Sequence, residues 1–119
     1  MKTYLGAPTP GREPAVVFVD SAGEGHMLPL GTGKYRFADR FAWGPTGGQE
    51  SSQLAFAILL DHFQGNISQA KHWCHSFKWK VLIEIPEYHA WELTTKQIDL
   101  ALYEIREELQ SGKAHAGYQ

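Results

Sequence analysis

The densest apolar stretch of the chain is Leu54, Phe56, Ile58, Leu59, Leu60 and Phe63, whose spacing puts large side chains on more than one face of a helix. A helix apolar on most sides is buried, not laid on a surface. The pattern predicts it near 49–63, with Thr46 and Gln49 in the T-x-x-Q spacing of a capping box, Ser51 and Ser52 as rival caps, and Gly65 placed to stop it. Two more helices lie downstream. Ala70, Trp73, Cys74, Phe77, Val81 and Ile85 recur at three and four residues behind a second box, Asn66 and Gln69, and predict an amphipathic helix near 67–84 that ends ahead of Pro86. Ile98, Ala101, Leu102, Ile105 and Leu109 form the buried stripe of the third, with Thr94 and Gln97 as its box, Leu93 and Ile98 as a hydrophobic staple, and Gly112 at its end.

Upstream of residue 45 the period changes. Residues 15–19, AVVFV, are β-branched and aromatic and run into a turn signal at 20–23; they predict a strand, with HMLPL at 26–30 as its hairpin partner. Pro29 has no amide proton to give a ladder, so that second strand sits at an edge or breaks there. Between 31 and 40, Tyr35 and Phe37 alternate with Lys34, Arg36 and Asp39, the pattern of a third short strand with both rings on one face. Residues 1–14 hold Tyr4 and Leu5 and then three prolines and two glycines, which reads as a loop or arm. The expectation is a single α+β domain, a small N-terminal antiparallel sheet of two or three strands packed with three α-helices. Its parts are 1–14 loop or arm, 15–45 mainly β, 46–111 three helices and 112–119 a flexible tail.

Composition narrows the class. A chain of 119 residues buries roughly two thirds of the surface its unfolded form exposes, so no staple is required. One cysteine leaves no disulfide framework and fits a reducing cytoplasm. The amino terminus lacks the apolar core of a signal peptide, and the apolar run 54–60 is too short to span a bilayer, so the expectation is a soluble, unexported protein of the cytoplasm. Net charge is −2, unevenly spread: residues 62–83 carry Lys71, Lys78 and Lys80 and no carboxylate, whereas 84–108 carry seven carboxylates against Lys96 and Arg106. A basic helix lying beside an acidic one accounts for this split without an external partner.

Phe41, Trp43, Gly44, Gly47 and Gly48, then Gln53, Leu54, Ala55 and the run from Ala57 to Asp61, carry a resemblance. They resemble the F-x-W-G-x-x-G-x-x-x-x-Q-L-A-x-A-I-L-L-D core of a bacterial and phage family of domains of unknown function. Phe77, Lys78 and Val81, then Trp91, Leu93, Thr94 and Ile98, stand where that family has its F-K-x-x-V and W-x-L-T-x-x-x-I phrases. The resemblance spans about 16–102 and departs from the family pattern in LPLGTGKYRFADR. It implies a small β-then-α domain, often encoded on mobile elements, with no assigned chemistry or site residues.

Candidate chemistry begins with the glycine turn. Amides at a helix start sit at the positive end of its dipole, so Trp43, Gly44, Gly47 and Gly48 are candidates for an anion or nucleotide cradle. The turn lacks the Lys and Ser or Thr of a P-loop, and Glu50 repels a phosphate. Cys74 lies between His72 and His75, but neighbours on a helix point about 100° apart and do not converge, so no metal and no cofactor is expected. Asp61, His62 and Glu84 make no recognisable acid–base set, and no catalytic residue is expected. Four tryptophans exceed what a core of this size requires, and rings are enriched where partners dock. Trp79 falls off the apolar stripe between two lysines, so Lys71, His75, Lys78, Trp79 and Lys80 are the expected partner-binding residues. The expected function is non-catalytic: a phage or mobile-element protein that binds a host protein or complex, for instance to inhibit a bacterial defence system such as CRISPR. The alternatives are small-ligand binding at the glycine turn and nucleic-acid binding through Lys34, Arg36, Lys71, Lys78 and Lys80. No membrane partner is expected, and a homodimer is compatible with an exposed ring face.

Overall fold

A computed structural model describes residues 2–8 and 15–110, and the fold it gives is α+β. Four strands, β1 (Lys2–Ala7), β2 (Val16–Ser21), β3 (Glu24–Met27) and β4 (Trp91–Thr94), form one antiparallel sheet in the order β3-β2-β1-β4. Three helices accompany it: α1 (Gly48–His62), α2 (Ile67–Phe77), which runs on into a π-helical turn at Lys78–Leu82, and α3 (Thr95–Gln110). A β2–β3 hairpin forms as expected, but its second strand is 24–27 and not 26–30. Ala22 and Gly23, both at positive φ, make its tight turn, and β3 ends two residues before Pro29.

The sheet departs from expectation in three places. The stretch read as a loop or arm contains β1, which lies inside the sheet and pairs on both sides. Its alternation is masked because the inward position after Tyr4 is Gly6, where a Cβ would overlap the Trp91 indole. The fourth strand comes from beyond the second helix, where Trp91 and Leu93 are too short a pattern to separate from a helix lead-in. The strand expected within 31–40 does not form, and turns and bends stand there instead. The flexible tail expected at 112–119 lies outside the described residues.

Tyr4, Val17, Val19 and Leu93 face one side of the sheet and join the core with α1, whose residues 51–59 are buried without interruption. The other side carries Leu5, Phe18 and Met27 abreast on neighbouring strands, with Phe18 and Met27 exposed. Two of the three expected boxes cap their helices. Asn66 Oδ1 accepts from Gln69 N at 3.1 Å, and Thr94 and Gln97 bond each other's backbone N–H at 2.8 and 3.1 Å. Thr46 does not cap α1; Gly47 stands at that position with no side-chain bond.

Candidate functional site

Residue 53 is a glutamine inside the most buried helix of the molecule, and it is fully enclosed. Its Oε1 accepts from the backbone N–H of Phe37 at 2.6 Å and of Ala38 at 3.1 Å, and its Nε2 donates to the carbonyls of Leu30 at 2.7 Å and Tyr35 at 3.2 Å. Two amide hydrogens and two lone pairs are the full capacity of the side chain, and only one orientation of the amide serves two donors and two acceptors. The loop at 30–38 has no ladder of its own, so its backbone groups need such partners when they leave water. One side chain of α1 therefore does for this loop what a neighbouring strand would otherwise do.

The consequence is a fixed cluster of rings. Tyr35 and Phe37 meet edge to face at 4.9 Å, and both lie over Phe56 of α1 at 6.0 and 6.3 Å. His75 of α2 sets its ring edge to face with Phe37 at 5.4 Å, and the Lys71 ammonium stands 4.1 Å from the centre of the Tyr35 ring. Tyr35 and Trp79 are each 39% exposed, which leaves both rings open to a partner. Lys71, His75 and Trp79 succeed one another at single-turn spacing on the outside of α2 and its continuation. Burial, and then the Lys78 charge, lowers the His75 pKa below its ordinary value, so the ring is neutral at pH 7.

Two of the five residues expected to bind a partner turn away from this face. Lys78 is 9% exposed, and its Nζ donates to Gly48 O at 3.2 Å and to Ser52 Oγ at 3.0 Å. Burial pulls its pKa down. Lys80 reaches α3 and pairs with Glu108 at 2.8 Å and Glu104 at 3.7 Å, the internal complementarity that the charge split suggested. Lys78 follows Cys74 by four residues in regular α-helix, which puts it on the buried stripe of Ala70, Cys74 and Phe77, and the π turn acts only on the residues after it. Ile83 N donates to Lys78 O, five residues back, and the extra residue rotates the chain beyond it, so that Leu82 and not Val81 is the buried position.

The four glycine-turn residues are brought together; Trp43 and Gly44 are buried, Gly47 is half-buried, and Gly48 is exposed with open space where a Cβ would stand. Gly44 has φ +92° and donates to Leu82 O at 2.9 Å; a Cβ on it would run into Glu87 and come within 3.3 Å of Glu87 N and Ile85 O. Trp43 is buried, donates through Nε1 to His89 O at 3.1 Å and meets Trp91 edge to face at 5.4 Å. Thr46 Oγ1 donates to Glu87 Oε1. A Cβ on Gly47 would overlap Ser51 Oγ, and the Gly48 carbonyl is the one that Lys78 holds. Glu50 lies 3.8 Å from Arg40. The turn is thus a seat for the segment 82–89, at whose tip Tyr88 stands 83% exposed at φ +62°.

A cleft of about 250 Å³ that the sequence did not announce opens between β1, the segment after β3 and the end of α1, with Leu28, Leu60 and Gln64 beside the Lys2–Asp61 ion pair at 3.1 Å. Asp61 also accepts from the buried Tyr4 hydroxyl at 2.6 Å. Among the described residues no three His, Cys, Asp or Glu side chains gather as a metal site would need. Cys74 is fully buried, and its thiol is pushed above its ordinary pKa by burial, unlike a poised nucleophile. No helix among the described residues is long and apolar enough to cross a membrane.

A family model described as a family of unknown function, DUF6166, matches residues 15–104. No curated protein and no solved structure matches the chain.

Proposed function

We propose that this chain, which belongs to the DUF6166 family of unknown function, is a non-catalytic binding protein that engages a protein or protein complex through the face of Tyr35, Lys71, His75 and Trp79. The observation that carries the reading is the use of all four hydrogen-bonding positions of Gln53 to hold an irregular loop with Tyr35 outward. A ring held in place before the partner arrives loses little entropy on binding, which is where hot-spot energy comes from. The partner is a bacterial host protein met in the cytoplasm, and the chain is of phage or mobile-element origin, acting to block a defence system such as CRISPR. The resemblance in the F-x-W-G and Q-L-A phrases is what supports that origin.

Affinity capture from host lysate tests it, with the native chain beside a Tyr35→Ala, Trp79→Ala variant. The native chain recovers a partner and the variant does not. Equal recovery by both, or turnover of a metabolite by the purified protein, would sink the reading. The alternative of an anion or nucleotide at Trp43, Gly44, Gly47 and Gly48 predicts a ligand-dependent rise in melting temperature with nucleotides or phosphate.

A further inference from the structure

The charge left over on this face says what kind of surface it fits. Residues 62–83 contain no carboxylate, and the acidic groups near the loop are engaged: Asp39 with Arg36 at 2.6 Å and Glu50 with Arg40 at 3.8 Å. Lys34 and Lys71 are exposed, and among the described residues neither has a carboxylate partner. Lys71 also bears on nucleic-acid stacking. Its ammonium stands 4.1 Å from the centre of the Tyr35 ring and so occupies one of the faces on which a base would stack. Two unpaired lysines are also few for a phosphate backbone, whose binding strength grows with each phosphate neutralised. A carboxylate suits the same place. It can pair with the ammonium from above while the ring supports it from below, and such charge complementarity at a pre-set cation selects partners more than it adds raw affinity.

Resting on the proposed binding face, we infer that its occupant is an acidic peptide segment of the partner, with one carboxylate on Lys71 above Tyr35 and a neighbouring apolar side chain against Trp79. Trp79 has Lys78 5.4 Å from its ring centre, yet the ring is exposed and available to an aliphatic or aromatic group.

Amide-resolved NMR titration of the purified protein tests this with three defined probes: a peptide of the pattern Glu-Leu-Glu-Glu-Leu-Glu, the same peptide with Lys for Glu, and a short oligothymidylate. The acidic peptide shifts the amides of residues 34–37 and 71–79, and its affinity falls roughly tenfold in Lys71→Glu and in Trp79→Ala. Melting temperature is measured in parallel, and affinities are compared at a temperature where each variant is fully folded, which separates lost binding from lost stability. Equal shifts with the basic peptide would overturn the acidic preference and leave the binding face standing. No shift with millimolar acidic peptide, or shifts confined to other residues, would overturn the inference, while the capture experiment still decides the face. Saturation of the same amides by oligothymidylate at lower concentration than the acidic peptide would replace both with nucleic-acid binding.

Discussion

The glycine turn at 43–48 and the loop at 30–38 both lie on the way from the β-hairpin to α1, and they are held by opposite means. The turn is fixed by side chains that are missing: at Gly44 the bare Cα lets the segment 82–89 approach to contact distance, and Trp43 and Thr46 bond to it from either side. The loop is fixed by one side chain that is present, Gln53, which reaches four backbone groups spread over nine residues. A close approach of two segments is secured many times over and leaves little surface free. The single polar tie leaves Phe37 packed against the core and Tyr35 exposed above Phe56. The region with the more conspicuous motif is therefore packed as scaffold, and the plainer one carries the exposed ring of the proposed binding face.

Substitutions at the two ties separate these roles. Gln53→Leu keeps the volume and removes all four bonds; each buried backbone group left without a partner costs about 1–3 kcal/mol, and with partial rehydration of the loop the total loss comes to roughly 3 kcal/mol in denaturant unfolding. Gly44→Ala places a Cβ against Glu87 and forces a positive φ on alanine, for a loss of about 2 kcal/mol by the same measurement. The contrast lies in where the damage appears. The glutamine variant abolishes partner capture, whereas the glycine variant, while folded, retains it. Capture lost equally in both would mean that the turn contributes to the face.

Lys78 gives the smallest effect and a pH signature. Lys78→Met removes a buried charge together with its bonds to Gly48 and Ser52, and these losses and gains offset to within about 1 kcal/mol at neutral pH. The folded pKa of Lys78 is depressed, so from that value up to its ordinary 10.5 the unfolded chain holds the proton that the folded chain has released. Native stability therefore gains from this group as pH rises through that window. The difference in stability between native and Lys78→Met measured across alkaline pH isolates the gain; a difference independent of pH would show that the ammonium is not held in a desolvated place.

Much of this was legible in the residues, for reasons that differ from part to part. The buried run of α1 and the AVVFV strand declare themselves by composition, and Thr94 with Gln97 is a local device that works through neighbours three residues apart. The strand β1 is hidden because its inward partner is Trp91, 85 residues away in sequence, lying over Gly6. Helical spacing brings Lys71, His75 and Trp79 to one face, but the same spacing sets Lys78 one turn after buried Cys74 on the inner side, and Lys80 lies within a π turn, which leaves no mark in spacing. Gln53 was the least legible of all. In a helix buried on most sides, a polar residue one turn from the start looks like part of the entry, and only the folded loop shows which backbone groups it serves.

The central claim, that Gln53 holds the ring-bearing loop in place, meets its most direct test in amide hydrogen exchange at Phe37 and Ala38. In the native chain both amides are protected although they lie outside any helix or strand, and in Gln53→Leu their protection is lost while the amides of residues 55–59 in α1 remain slow. Fast exchange at Phe37 and Ala38 in the native chain, or unchanged protection in the variant, would contradict the account.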